Sequence, residues 1–319
     1  MPDRRKATNG SWLSAGLEFA RKIGASLVDA AGLSAEAFAK SNKPRIGAVT
    51  EKERIMLKIE GSTAVITGGG SGIGRALAEF WLGRGGRVVI ADVAEEALRQ
   101  VETELQGISP HVASVVCNVT READCERLAE HAMATFGSIN LVAPFAGITS
   151  DGMLIKTDRE TGKVTGKMSL DQFQKVIDIN LTGVFLTVRE CVERMVNAGC
   201  RGLICLVSST GSLGTAGQIN YSSTKAAMAV IPKVLTAEFF RRGFADRIRC
   251  MAIAPGYVGT PMVKSIDEKV LGRIIEQVPI SRLIEPEEVV SMVAELYRNE
   301  AMAGETVFIH GGLRLGSKG

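Results

Sequence analysis

Tyr221 and Lys225 stand four residues apart in the run NYSSTKAAMAV. On a helix that spacing puts both on one face. A phenol titrates near ~10, too high for a base near neutrality. An ammonium close by stabilises phenolate and lowers that value. The pair therefore suits the giving and taking of one proton. Ser208 stands thirteen residues before the tyrosine, at the end of the strand-like run LICLV, and Asn180 lies in the helical pattern of FQKVIDINLTGVF. None of the four is diagnostic alone, because Y-x-x-x-K is common on surface helices and a serine after a strand is usually a turn residue.

A second constellation precedes them. TAVIT, residues 63–67, is a short β-branched run, and Gly68, Gly69, Gly70, Gly72 and Gly74 follow it around Ser71 and Ile73. An apolar-faced helical pattern then runs to Leu82. Strand, glycine turn and helix suit a dinucleotide pyrophosphate. Glycines let the backbone turn and approach the phosphates, and the helix start offers unpaired N–H groups and a positive dipole end. The next strand run, RVVIAD, ends in Asp92. A carboxylate there is placed to accept from the adenosine ribose hydroxyls and to repel a 2′-phosphate, which favours NAD over NADP. The competing reading of Asp92 is a helix N-cap.

The elements that must position these residues alternate. Strand runs fall at 63–67, 87–91, 112–117, 141–145, 203–207, 248–254 and 306–309, with helical patterns including 122–136, 171–197, 221–242 and 286–299. Alternation of this kind predicts an α/β fold, a Rossmann-type doubly wound parallel sheet flanked by helices. Ligands then bind beyond the carboxyl ends of the strands. The hydrophilic stretch 156–167 predicts an exposed loop or small hairpin near the site mouth. Residues 1–58 form a separate N-terminal extension, with an amphipathic helical stripe around Leu13, Leu17 and Leu27 and a Pro44–Gly47 linker. Residues 59–319 form the dinucleotide-binding domain.

Composition narrows the function. The 319 residues are 45% hydrophobic and 23% charged, ordinary for a globular chain. Lys+Arg 38 against Asp+Glu 35 leaves +3, too balanced to point to nucleic acid. No apolar run reaches the length of a membrane span. The six cysteines form no C-x-x-C pair and the three histidines no zinc pattern, so no metal site is expected. Scattered thiols in apolar runs suit a reducing compartment, here the cytoplasm. The basic residues near the start leave organelle targeting open, though Asp3, Glu18 and Asp29 argue against a transit peptide.

Together the motifs resemble the short-chain dehydrogenase/reductase family. The matches are T-G-x-x-x-G-I-G at 67–74, Asp92, Asn118-Val119, Ala146-Gly147, Asn180, Ser208, the Tyr221/Lys225 pair, and P-G-x-x-x-T at 255–260. The resemblance covers the chain from about Gly61 onward. It implies that Tyr221 is the acid/base and that Lys225 tunes it and holds the nicotinamide ribose. Ser208 would hydrogen-bond the substrate oxygen, and Asn180 would order a water in the proton relay. It also implies that Val258 and Thr260 hold the nicotinamide carboxamide and that Asn118 lies near the adenine. Two departures stand out: Pro144-Phe145 where the family often has two asparagines, and His310 where it often has aspartate.

Within the family, GQINYSSTKAAM and GGLRL look most like beta-ketoacyl (3-oxoacyl) thioester reductases of fatty acid metabolism. The implied substrate is a 3-oxoacyl group on acyl carrier protein or coenzyme A, and the implied assembly is a homotetramer. Asp92 is in tension with the NADP preference usual among biosynthetic members. Two alternatives remain: an NAD-dependent dehydrogenase of another secondary alcohol, and a non-catalytic dinucleotide-binding scaffold subunit.

Overall fold

The computed structural model describes residues 56–313. The helical arm expected in the N-terminal extension lies outside the described residues. Seven strands form one sheet in the order β3-β2-β1-β4-β7-β8-β9. They are β1 (Thr63–Thr67), β2 (Arg87–Asp92), β3 (Val112–Val116), β4 (Leu141–Pro144), β7 (Gly202–Val207), β8 (Ile248–Pro255) and β9 (Thr306–Ile309). Every pairing is parallel. The strand order reverses between β1 and β4, which makes the crevice beyond their carboxyl ends the natural ligand site.

Burial explains the strand sequences. β1 and β8 are buried along their whole length, so they read as continuous apolar runs rather than alternating ones. Alternate side chains feed two cores. One packs α1 (Gly72–Leu82), α2 (Glu95–Gln106) and α9 (Pro286–Arg298) on one face of the sheet. The other packs α3 (Glu122–Phe136), α5 (Gly183–Asn197) and α6 (Ile219–Arg242) on the opposite face. Trp81 and Tyr297, both buried, meet edge to face at 4.8 Å and lock α1 to α9. Arg249 of β8 donates to the carbonyls of Leu296, Tyr297, Asn299 and Met302, satisfying the end of α9 with a buried cation.

The stretch expected as one helix over 171–197 is broken. α4 (Leu170–Ile177) gives way to a π-helical turn at Asp178–Thr182 before α5 begins. The turn holds Asn180, which is buried. Gly183 opens α5, and a Cβ there would lie 2.6 Å from Val119 Cγ2, so the helix closes tightly on the β3 turn. The hydrophilic stretch is a two-stranded antiparallel hairpin, β5 (Ile155–Thr157) and β6 (Val164–Lys167), exposed along nearly all its length. Two short helices, α7 (Pro261–Lys264) and α8 (Glu268–Ile275), follow β8.

Candidate active site

The glycine loop is a cradle only glycine can form. A Cβ on Gly74 would stand 2.3 Å from the Gly68 carbonyl oxygen, and one on Gly68 would stand 2.9 Å from the Ala146 backbone. Gly68 and Gly72 both have positive φ, 69° and 56°. Ser71 is the N-cap of α1, with Gly72 and Ile73 its first residues and no side chain capping the first turn, so its leading N–H groups have no intrahelical partner. Backbone is thus bared where a pyrophosphate would lie, and the residues fit a dinucleotide.

Asp92 closes that cradle. Its Oδ2 accepts from Gly70 N–H at 3.1 Å and its Oδ1 from Ala94 N–H at 3.1 Å. The N-cap of α2 is Ala94, so the carboxylate bridges the two loops rather than capping the helix. Asn118 accepts from the Thr120 N–H (3.1 Å) and hydroxyl (2.8 Å), and its own N–H donates to Asp124. This turn presents Val119 to Gly183. The Asn118 amide NH2 has no hydrogen-bond partner among the described residues.

Pro144 and Phe145 are accommodated. Pro144 ends β4 opposite Thr67, whose hydroxyl accepts the Ala146 N–H at 3.2 Å, and Phe145 packs on the α1 core. Gly147 then passes Asn180 so closely that a Cβ would lie 3.3 Å from its Oδ1 and 3.9 Å from Lys225 Nζ. Asn180 holds Ile148 by both backbone groups, accepting its N–H at 2.8 Å and donating to its carbonyl at 2.9 Å. The π-turn is what points this amide at the β4 loop.

Lys225 is buried and donates its Nζ to the Val207 carbonyl at 2.9 Å. Burial lowers its pKa to about 8. Its ammonium lies 5.4 Å from the centroid of the Tyr221 ring. The expected lowering of the tyrosine pKa is not what this geometry gives. Burial pushes the phenol up, a Ser209 hydrogen bond pulls it down, and the Asp151 charge raises it, for a net upward shift. Tyr221 is held as a phenol.

The two adjacent serines point to opposite sides. Ser208 is buried, and its hydroxyl donates to the Lys225 carbonyl at 2.7 Å. Its position follows the pleat: Ile204 and Leu206 of β7 face the α6 core, and Ser208 is next on that side. Ser209 is turned the other way. A point beside Gly211 lies 3.4 Å from both Ser209 Oγ and the Tyr221 ring. The resemblance implies Ser208 for the substrate oxygen, but the hydroxyl that borders the phenol is that of Ser209, because the strand's alternation turns adjacent residues to opposite sides. Ser209 Oγ also accepts from the Gly211 N–H at 3.0 Å.

Val258 is buried and bridges to Ile284, and Thr260 is the N-cap residue of α7, with its methyl 3.3 Å from where a Gly72 Cβ would be. The segment after β8 therefore touches the glycine loop. His310 accepts the Gly312 N–H on Nδ1 at 3.1 Å and stacks edge-on to Phe308, a turn-holding arrangement.

This geometry has known relatives. The family described as short chain dehydrogenase matches residues 62–271. The 3-oxoacyl-acyl-carrier-protein reductase FabG of Salmonella typhimurium is 31% identical over 259 residues, 81% of this chain and 99% of that protein. A human (3R)-3-hydroxyacyl-CoA dehydrogenase is 32% identical over 267 residues, 80% of this chain and 97% of its own. A short-chain dehydrogenase/reductase crystal structure from Brucella melitensis superposes with a TM-score of 0.70 at 28% identity, covering 82% of this chain and 100% of that one. The glycine cradle and the buried tyrosine–lysine pair thus sit in a sequence matched over most of its length, and the chain belongs to the short-chain dehydrogenase family of NAD(P)-dependent oxidoreductases.

Proposed function

We propose that this oxidoreductase reduces the 3-oxo group of a 3-oxoacyl thioester, on acyl carrier protein or coenzyme A, to the 3-hydroxyacyl form. The observation that carries the reading is geometric: the Tyr221 ring and the Ser209 hydroxyl border one point beside Gly211, with the buried Lys225 ammonium 5.4 Å from the ring centroid. A phenol so placed suits reduction, in which the chain must give a proton to the nascent alkoxide. The thioester comes from the names of the relatives, a carrier-protein reductase and a CoA dehydrogenase.

The bound nicotinamide supplies the hydride. Gly68, Ser71, Gly72, Ile73 and Gly74 hold the pyrophosphate, Ala146 and Gly147 line the wall beneath it, and Asn118 and Val119 flank the adenine. Asp92 binds the adenosine ribose, and its charge disfavours a 2′-phosphate, so NAD is the preferred cofactor. Val258 and Thr260 hold the carboxamide. Tyr221 donates the proton. Ser209, in place of Ser208, holds the substrate oxygen. Lys225 keeps two N–H groups beyond the one given to Val207, and these serve the ribose and the proton path. Asn180 fixes the Ile148 backbone and has a second amide proton for an ordered water. The buried thiols accord with a reducing cytoplasm.

Oxidation of another secondary alcohol with NAD is the second reading, favoured by Asp92. Steady-state rates with NADH and NADPH across short 3-oxoacyl thioesters, simple ketones and the matching alcohols separate the two. The first reading expects acetoacetyl-CoA to outrun simple ketones, with NADH preferred by about tenfold or more. Tyr221→Phe abolishes turnover while NADH fluorescence still reports binding. Equal rates for that variant and the parent would reject Tyr221 as the acid.

A further inference from the structure

The loop after β4 carries a carboxylate that the reaction above does not use. Asp151 sits in a stretch held from two sides. Gln172 of α4 donates its amide to the carbonyls of Ser150 and Asp151, at 3.1 and 3.0 Å. Asn220 of α6 donates to the Ser150 carbonyl at 2.9 Å, and the Gly152 N–H donates to the Gly217 carbonyl at 2.7 Å. The carboxylate itself accepts from Gln218 Nε2 at 2.8 Å, and among the described residues that partner is an amide rather than a cation. The other end of the same Gln218 amide comes to the point beside Gly211 that the Tyr221 ring and Ser209 hydroxyl also border. A full negative charge is therefore fixed one side chain away from the reacting hydroxyls. Its field reaches two phenols, Tyr221 and Tyr257, both shifted upward by burial with Asp151 adding to the shift. Lys225 makes no ion pair with it: among the described residues the ammonium's hydrogen-bond partner is the Val207 carbonyl.

We propose that Asp151, steadied by Gln218, determines specificity by charge: it rejects carbonyl substrates bearing a free carboxylate beside the ketone and admits those bearing an uncharged ester or thioester. The inference rests on the reduction proposed above. A 3-oxo acid and its thioester share one skeleton, and the acid brings a second anion within a few bonds of the reacting carbon. Like charges at such range cost binding, and because Asp151 is exposed that cost is screened by salt.

Acetoacetate and ethyl acetoacetate test it, because they differ chiefly in that charge. The parent prefers the ester. Asp151→Asn keeps an oxygen to accept from Gln218 and removes only the charge, and it raises kcat/KM for acetoacetate relative to the ester by about fivefold or more. Asp151→Glu, which keeps the charge, keeps the preference. High salt weakens the preference in the parent and leaves the Asn variant unmoved. An ester-to-acid ratio unchanged in Asp151→Asn, or equal ratios in the Asn and Glu variants, overturns the inference. Failure of the parent on acetoacetyl-CoA and ethyl acetoacetate alike would strike the reduction instead. Calorimetric binding of the same two small molecules to the dinucleotide-loaded parent and variants then decides the charge preference without turnover.

Discussion

Ser208 and Ser209 are adjacent and chemically identical, yet the pleat of β7 gives them opposite tasks. Ser208 spends its proton on the Lys225 carbonyl. Replacing it with alanine leaves a buried acceptor short of a donor and costs about 1–3 kcal/mol of stability. Thermal unfolding of Ser208→Ala is expected to show that loss with kcat within a few fold of the parent. Ser209→Ala is expected to do the reverse, unfolding like the parent with kcat lower by about a hundredfold, the scale of a removed transition-state donor. The opposite pairing of effects would restore Ser208 to the substrate.

Lys225 makes a second residue-level prediction. Its folded pKa of about 8 lies below the ordinary 10.5 because the ammonium is buried. Between those values the unfolded chain holds more protons than the folded one, so this group's contribution to stability grows as pH rises. Below about 8 both states hold the ammonium, and its burial is a cost that no longer changes with pH. Reduction needs the ammonium, so its rate falls as pH rises through the same region. Activity and this stability contribution therefore move in opposite directions. Cys191 and Cys205, raised to about 12 by burial, act the other way above about 9, because the folded chain then keeps protons the unfolded one loses. The clean measurement is the difference in Tm between parent and Lys225→Met from pH 7 to 9. That difference should change with pH in the direction that favours the parent as pH rises. A flat difference would mean the lysine is not buried as an ammonium.

At the scale of elements, the glycine loop and its neighbours are stiffly specified. Gly74→Ala puts a methyl 2.3 Å from the Gly68 carbonyl, a contact backbone must move to relieve. NADH binding, read by fluorescence, is expected to vanish in Gly74→Ala. Gly162→Ala, in the exposed hairpin, meets no atom within 4 Å, and despite its positive φ should leave binding intact. Most of this element structure was legible in the sequence, because a parallel sheet buried on both faces writes itself as unbroken β-branched runs between helical stripes. β1 and β9 begin and end where the pattern places them. The break at Asp178–Thr182 was not legible. A π-turn inserts one residue's worth of slack without changing composition, and only the packing of Gly183 on Val119 and the anchoring of Ile148 by Asn180 call for it. Which serine borders the phenol was not legible either: the spacing to Tyr221 runs through the short 3-10 turn at Thr210–Leu213, whose length the sequence does not encode.

For the whole molecule, the open question is what covers its outer helices. α5 and α6 pack one face of the sheet, yet Phe185 on α5 is 55% exposed, and Val230 and Val234 on α6 are 57% and 48% exposed. The two valines are one turn apart and share a face. Exposed apolar side chains on two helices that cover the same face of the sheet fit an association surface. A second copy of the chain, placing the same face against itself, would bury them in a closed two-fold contact, and two such contacts build the tetramer that the family resemblance implies. The prediction is specific to that face. The full chain should elute and weigh, by light scattering, as a multimer; Val230→Glu with Val234→Glu places two charges in a desolvated contact and should lower the mass by whole subunits. Thr161→Glu, on the exposed hairpin and away from both helices, is the matched control and should leave the mass unchanged. Far-UV circular dichroism of the double variant separates lost assembly from lost folding. A monomeric parent, or a double variant that keeps the parent's mass, would leave the apolar face without a second copy to cover it.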